Sequence, residues 1–222
     1  MNYISYILKG MGVHKMVKKI NLEDAYTLND PDDNVRLYSK WAATYDTDFA
    51  QNSDYILPYQ VAKAVHAVKK TGRVLDLGAG TGLLAAELLK IGKYKVDATD
   101  ISEDMLRTAA KKNLYERLFW SDVTNRIDAL DGAYDICTSS GTFTHGHVGP
   151  DALNEVLRVV KKGGSVVISV NLGFWKLKAF DVVVDRLSKT VHSIDLKYVT
   201  IYGENSKGEH AQDQAVITVI HK

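Results

Sequence analysis

One cysteine, Cys137, stands alone among the 222 residues. It excludes an internal disulfide and any cysteine-rich zinc site, and no metal site is expected. Its place inside an apolar run marks a buried strand in a reducing, cytoplasmic chain. Net charge is almost missing as well: 28 Lys and Arg against 27 Asp and Glu leave +1. Without a global field to draw the chain to a polyanion, neither nucleic acid nor membrane is expected as a partner. Long apolar runs are lacking too. Met1 to Leu8 is mildly apolar, but Lys9 interrupts it too early for a signal peptide or a membrane span. Residues 1–20, with Met11 and Met16, show no amphipathic period and are expected to be a disordered leader. No internal repeat or low-complexity segment appears.

What is present is regular. Hydrophobic residues make up 45% and charged residues 25%, a balance that supports one substantial core. After residue 70, short β-rich runs alternate with longer segments of helical period, which predicts an α/β fold with a Rossmann-like, mostly parallel, seven-stranded sheet. The strands are expected over Arg73–Leu77, Tyr94–Thr99, Glu116–Trp120, Tyr134–Thr138, Ser165–Val170, Asp195–Tyr202 and Gln214–His221. The last two lie too close together for an intervening helix and should form an antiparallel hairpin around Gly203 to Gly208. Helices are expected over Pro58–Lys69, Gly82–Ile91, Glu103–Asn113, Asp151–Lys161 and Lys176–Thr190, on both faces of the sheet. Ser102 reads as an N-cap ahead of Glu103 and Asp104, and Gly163-Gly164 as the end of the helix from Asp151.

Ahead of this core, Asp30-Pro31 reads as the start of a further helix that sets Tyr38, Trp41 and Tyr45 on one face. The expected organisation is therefore a leader over 1–20, a helical lid over 21–57 and a ligand-binding domain over 58–222.

The chemistry is concentrated where Val74-Leu75-Asp76-Leu77 runs into Gly78-Ala79-Gly80-Thr81-Gly82. Glycines let backbone approach a ligand, and the following helix offers free N–H groups. The spacing is not the G-x-G-x-x-G of a dinucleotide site, and no Lys follows as in a phosphate loop. A ligand with a cationic amino-acid tail and no phosphates suits it better. Asp100 ends the second strand about twenty residues beyond the loop, where a carboxylate can accept from both ribose hydroxyls. Asp122 and Val123 end the third strand, where a carboxylate and a backbone N–H can meet an adenine ring.

These motifs in series resemble the class I S-adenosylmethionine-dependent methyltransferases over roughly Gly72 to Ser169. The resemblance implies S-adenosyl-L-methionine as cofactor. The methionine portion would lie on Gly78 to Gly82 beside Asp76, the ribose on Asp100 and Ile101, and the adenine on Asp122 and Val123, with Met105 and Ser139 flanking. Lys161-Lys162-Gly163-Gly164 stands where the family usually has Lys-Pro-Gly-Gly, remote from the cofactor. A narrower similarity is to the methyltransferase-like proteins of the Williams-Beuren syndrome region and their bacterial relatives. It rests on Asp30-Pro31-Asp32, Val35-Arg36-Leu37-Tyr38, Trp41 through Asp46, and Gly141 through Val148.

Transfer of the methyl group in line to an oxygen or nitrogen of a small-molecule acceptor follows as the expected reaction. Tyr45 of the Tyr45-Asp46 pair, with Tyr55 further along, would face the sulfonium. His145 and His147 follow the fourth strand, where an imidazole could take a proton from the acceptor. His145 and Tyr45 are the expected catalytic residues, and Asn171 is a further candidate for orienting substrate. A cofactor-binding relative without catalysis, a protein or RNA methyltransferase, and a nicotinamide-dependent oxidoreductase stand as alternatives.

Overall fold

The computed structural model describes residues 31–222; the expected leader and the Asp30 N-cap lie outside them. Seven strands form one sheet: β1 (Thr71–Leu77), β2 (Lys93–Asp100), β3 (Arg117–Trp120), β4 (Tyr134–Phe143), β5 (Val160–Asn171), β6 (Ser193–Thr200) and β7 (Gln214–His221). Their order is β3-β2-β1-β4-β5-β7-β6. The first five are mutually parallel, and β7 pairs antiparallel with both β5 and β6. Strand order reverses between β1 and β4, so the crevice for a ligand opens beyond the carboxyl ends of those two strands.

The helices are α1 (Pro31–Trp41), α2 (Leu57–Val68), α3 (Leu83–Ile91), α4 (Glu103–Ala110), α5 (Leu153–Val159), α6 (Leu172–Leu177) and α7 (Phe180–Ser188). One apolar cluster joins α5, α6 and α7 to the sheet through Phe143, Leu153, Ile168 and Phe180. The other joins α2 and α3 to the opposite face through Val61, Val65, Val74 and Leu88. Strands buried on both faces need continuous apolar runs, and Val166-Val167-Ile168 supplies one.

Several expected boundaries move. The helix expected over Asp151–Lys161 is a 3-10 turn at Pro150–Ala152 followed by α5, and it stops at Val159. Val160 already pairs with Tyr134, so Gly163-Gly164 lies inside β5 and does not cap a helix. There Gly163 N–H donates to Lys222 and Gly164 accepts from Lys222 N–H, which ties the chain end to the sheet. The segment expected as one helix over Lys176–Thr190 is two, broken where Ala179 turns left-handed at φ +50°. The helix expected to Asn113 ends at Ala110. Strand β4 continues five residues past the expected Thr138, with a register shift between Ser139 and Phe143. A shift of that kind bends a strand and re-aims its side chains, here at the rim of the crevice.

Candidate functional site

The loop after β1 is held open by backbone geometry. Gly78 sits at φ +63°, and a Cβ there would lie 2.2 Å from the Thr142 hydroxyl, so the strand-end bend of β4 and the loop fit only around a glycine. Gly80 at φ +55° faces open space instead. Ala79 N–H donates to the Thr99 carbonyl at 3.0 Å, pinning the loop to β2, while Gly82 at φ +93° caps α3. Residues 78–81 line a cavity of about 130 Å³ together with Asp76, Asp100, Ile101, Met105, Asp122 and Val123. Gly82 and Ser139 do not reach it: Gly82 packs beneath Tyr115, and the buried Ser139 hydroxyl donates to the Leu77 carbonyl at 2.7 Å.

Three carboxylates at this edge differ sharply. Asp76 is buried, and burial raises it to about 8 even though Tyr115 donates to its Oδ2 at 3.2 Å. Its Oδ1 is shielded from solvent and has no hydrogen-bond partner, an arrangement that a cationic group in the cavity would relieve. Asp100 accepts from Gly80 N–H through Oδ2 and from Ser102 N–H through Oδ1, both at 2.8 Å. Burial pushes Asp100 up while the backbone of Ser102, Gly80 and Ile101 opposes it, and with three donors on about four acceptor sites the carboxylate retains capacity for a hydroxyl. Asp122 is turned to its own loop, accepting from Thr124 N–H and Oγ1 and from the Asn125 amide. The N-cap of α4 is Ser102, which accepts from Met105 N–H, so Asp100 is free of that task.

Over the cavity lies the segment expected as a lid. Helix α1 ends at Trp41, and a π-helical turn (Asp46–Gln51) continues the chain. The rings of Tyr38, Trp41 and Tyr45 cluster with centroids 5.2–6.1 Å apart. Trp41 is 1% exposed and belongs to the apolar core with Val61 and Val65. Tyr45 and Tyr55 line the cavity, and burial raises both phenols, Tyr55 to about 12, so both are neutral. Asp46 accepts from the Thr81 hydroxyl and pairs with Lys112, and Tyr55 forms a β-bridge to Tyr202. The segment is thus a strap tied to the glycine loop, to α4's exit and to the β6–β7 hairpin. The contacts of Asp46, Lys112, Tyr115 and Thr142 left no mark in the sequence, because pairs 35 to 66 residues apart leave no periodic trace.

A second chamber of about 70 Å³ adjoins the first behind the strap. Tyr38, Tyr45, Tyr55, Gly141 and His147 face both chambers, whereas His145, Asn171 and Tyr202 line only the second. The ring of His147 meets Tyr38 edge-on at 5.5 Å. Burial, with His145 adding, lowers His147 to about 4, so it is neutral. Burial also lowers His145, and Asp213 opposes the shift. His145 stacks obliquely on Phe174 at 5.4 Å. Asn171 caps α6 by accepting from Phe174 N–H at 3.1 Å.

The chain is similar to known methyltransferases. Residues 74–164 match the family model described as a methyltransferase domain. Human methyltransferase-like protein 27 is 28% identical over 172 residues, covering 74% of this chain and 70% of that protein. The ubiquinone/menaquinone biosynthesis C-methyltransferase of Bdellovibrio bacteriovorus is 30% identical over 164 residues, 70% of this chain and 68% of that protein. Among solved structures, an S-adenosylmethionine-dependent methyltransferase from Aquifex aeolicus superposes with a TM-score of 0.59 at 17% identity, over 83% of this chain and 98% of that one.

Proposed function

The chain belongs to the class I S-adenosylmethionine-dependent methyltransferases, and from that membership we propose that the first chamber holds the cofactor and the second a small-molecule acceptor methylated on oxygen or nitrogen. The observation that carries the assignment is the convergence of Asp76, Gly80 and Asp100 on one cavity, with the buried Asp76 Oδ1 unpartnered. Asp76 meets the cationic amino group of the methionine portion, Gly78 to Thr81 lie along that portion, and Asp100 accepts from the ribose hydroxyls. Ile101, Met105 and Val123 pack the adenine. Asp122 is committed to its loop, so its part is to shape the adenine wall and leave the backbone of Val123 to the ring.

When bound, the cofactor supplies a methyl group already activated on a sulfonium. What the protein adds is mostly orientation, which contributes on the order of 7–11 kcal/mol in favourable cases. Tyr38, Tyr45 and Tyr55 stay neutral at the partition and present ring faces and hydroxyl oxygens to a cation there. The small second chamber, walled by side chains such as Phe143 (0% exposed) and Tyr202 (4%), favours a small acceptor over a protein or RNA. His145, confined to that chamber, orients the acceptor.

Calorimetry tests the cofactor assignment. S-adenosylmethionine and S-adenosylhomocysteine are expected to bind in the micromolar range and nicotinamide dinucleotides not at all. Preferential binding of a dinucleotide would overturn it.

A further inference from the structure

Among the described residues, no ionic side chain lines the second chamber. Its fourteen lining residues include six phenyl or phenol rings and two imidazoles, and no Lys, Arg, Asp or Glu. Burial keeps the imidazoles and the Tyr38, Tyr45 and Tyr55 phenols neutral. An ion entering such a space loses its hydration and meets no charged side chain among the described lining residues, Asp213 lying behind His145 and outside the wall, which costs several kcal/mol per ion. Ammonium, carboxylate and phosphate acceptors are therefore disfavoured by the walls themselves.

Size and shape narrow the occupant further. At about 10–15 Å³ per water, a 70 Å³ chamber has room for about five to seven waters, the bulk of a benzene ring with one or two substituents. One side is a run of rings: Phe49 lies 4.9 Å from Tyr45 and 5.0 Å from Tyr55, and Tyr55 lies 5.9 Å from Tyr202. Offset and edge-on packing against such faces suits another flat ring.

Among the described residues, one nitrogen base stands at the partition itself. His147 faces both chambers, and its Nε2 is shielded from solvent with no hydrogen-bond partner. A buried imidazole nitrogen left unsatisfied has an uncompensated polar atom, and in the Nδ1–H tautomer an O–H donor would satisfy it.

We infer that the second chamber takes an uncharged, single-ring aromatic alcohol, and that His147 Nε2 receives its hydroxyl proton during transfer. The inference rests on the first chamber holding the cofactor. The acceptor oxygen forms a C–O bond to the methyl carbon as the C–S bond breaks, its electron pair passing to sulfur, while the O–H proton moves to Nε2. The positive charge that leaves the sulfonium is thereby kept in the cavity as imidazolium, and released to solvent when product departs. Pairing a neutral acceptor with a neutral base keeps the charge of this dry space constant through the step.

The test uses the full chain saturated with S-adenosylhomocysteine and three probes of matched size: phenol, benzoate and benzylammonium. Phenol is expected to bind at least tenfold more tightly than either ion. With S-adenosylmethionine, phenol and 1,2-dihydroxybenzene are expected to yield methyl ethers. His147→Gln should slow that transfer about a hundred- to ten-thousand-fold with cofactor affinity within threefold, and added imidazole should restore part of the rate in His147→Ala. Thr144→Asp, which puts a carboxylate in the chamber wall, should reverse the preference in favour of benzylammonium. The inference is overturned if either ion binds wild type as well as phenol, if the methyl group appears on a ring carbon or on no phenol, or if His147→Gln keeps full turnover. Failure of S-adenosylhomocysteine to bind at all would instead remove the cofactor assignment.

Discussion

The carboxylate of Asp46 accepts from the Thr81 hydroxyl with one oxygen and pairs with Lys112 through the other, so a single side chain ties the strap to the glycine loop and to the segment leaving α4. It sits one residue from Tyr45, which lines both chambers. Strap position and partition geometry are therefore one mechanical unit.

Asp46→Asn is expected to loosen that unit without unfolding the chain. The pair is partly solvent-exposed, so the loss of stability should be no more than about 1 kcal/mol. Hydrogen exchange should speed up across residues 44–52 while the strand amides keep their protection, and cofactor affinity should fall several-fold. Equal exchange and affinity in variant and parent would mean that ring packing alone holds the strap.

Asp76 should make cofactor binding release a proton. Burial holds this carboxyl at about 8 in the free protein, against about 3.9 unfolded. A raised carboxyl gives folding a contribution that is present below the unfolded value and is lost as pH rises through the folded value, here across pH 4 to 8. A cationic amino group beside Oδ1 favours the ionised form, so at pH 7 the proton leaves on binding. Calorimetric enthalpies in phosphate and in Tris should then differ, and Asp76→Asn should abolish the difference. Buffer-independent enthalpies for the parent would contradict the placement.

Removing Asp100 should weaken the cofactor by about 1–3 kcal/mol, because buried hydroxyls lose a charged acceptor. The same carboxylate holds Gly80 and Ser102 N–H groups, so affinity alone does not isolate the ribose contact. A 2′-deoxy analogue of S-adenosylhomocysteine does so: parent should discriminate against it and Asp100→Ala should not. Undiminished discrimination in the variant would put the ribose elsewhere.

His145→Ala should act chiefly on acceptor KM, since this ring lines the second chamber alone. Cofactor affinity should stay within a small factor. A kcat loss larger than that of His147→Gln would exchange the two roles.

The sheet, its hairpin and the loop from Asp76 to Gly82 were legible because each rests on local pattern: apolar runs of strand length, glycine at left-handed positions, a carboxylate at a strand end. The misplaced boundaries arose where local pattern and tertiary pairing disagree. Lys161-Lys162-Gly163-Gly164 has the composition of a helix exit, yet the β-branched Val159-Val160 ahead of it is already drawn into the sheet opposite Tyr134. The break at Ala179 carries no glycine or proline to announce it. The lid over 21–57 was legible only as an aromatic face; what holds its described part, Trp41 in the core and the Asp46 and Tyr55 ties, joins residues far apart in the chain. Both His145 and His147 were legible as imidazoles following β4, but not that the turn at Gly146 sets one ring against both chambers and the other against the second alone.

The bridge between Tyr55 and Tyr202 gives the molecule a division of labour along its chain. The stretch matched by the methyltransferase model, residues 74–164, carries the glycine loop and the three strand-end carboxylates. The walls of the second chamber come largely from outside it: Tyr38 to Leu57 from the front, and Ser169, Asn171, Ile201 and Tyr202 from the rear. Substitutions in the flanks can therefore reshape the second chamber while leaving the glycine loop and its carboxylates untouched. Two segments nearly 150 residues apart in the chain thus meet as one wall, and a change on either side of the bridge is felt by the other.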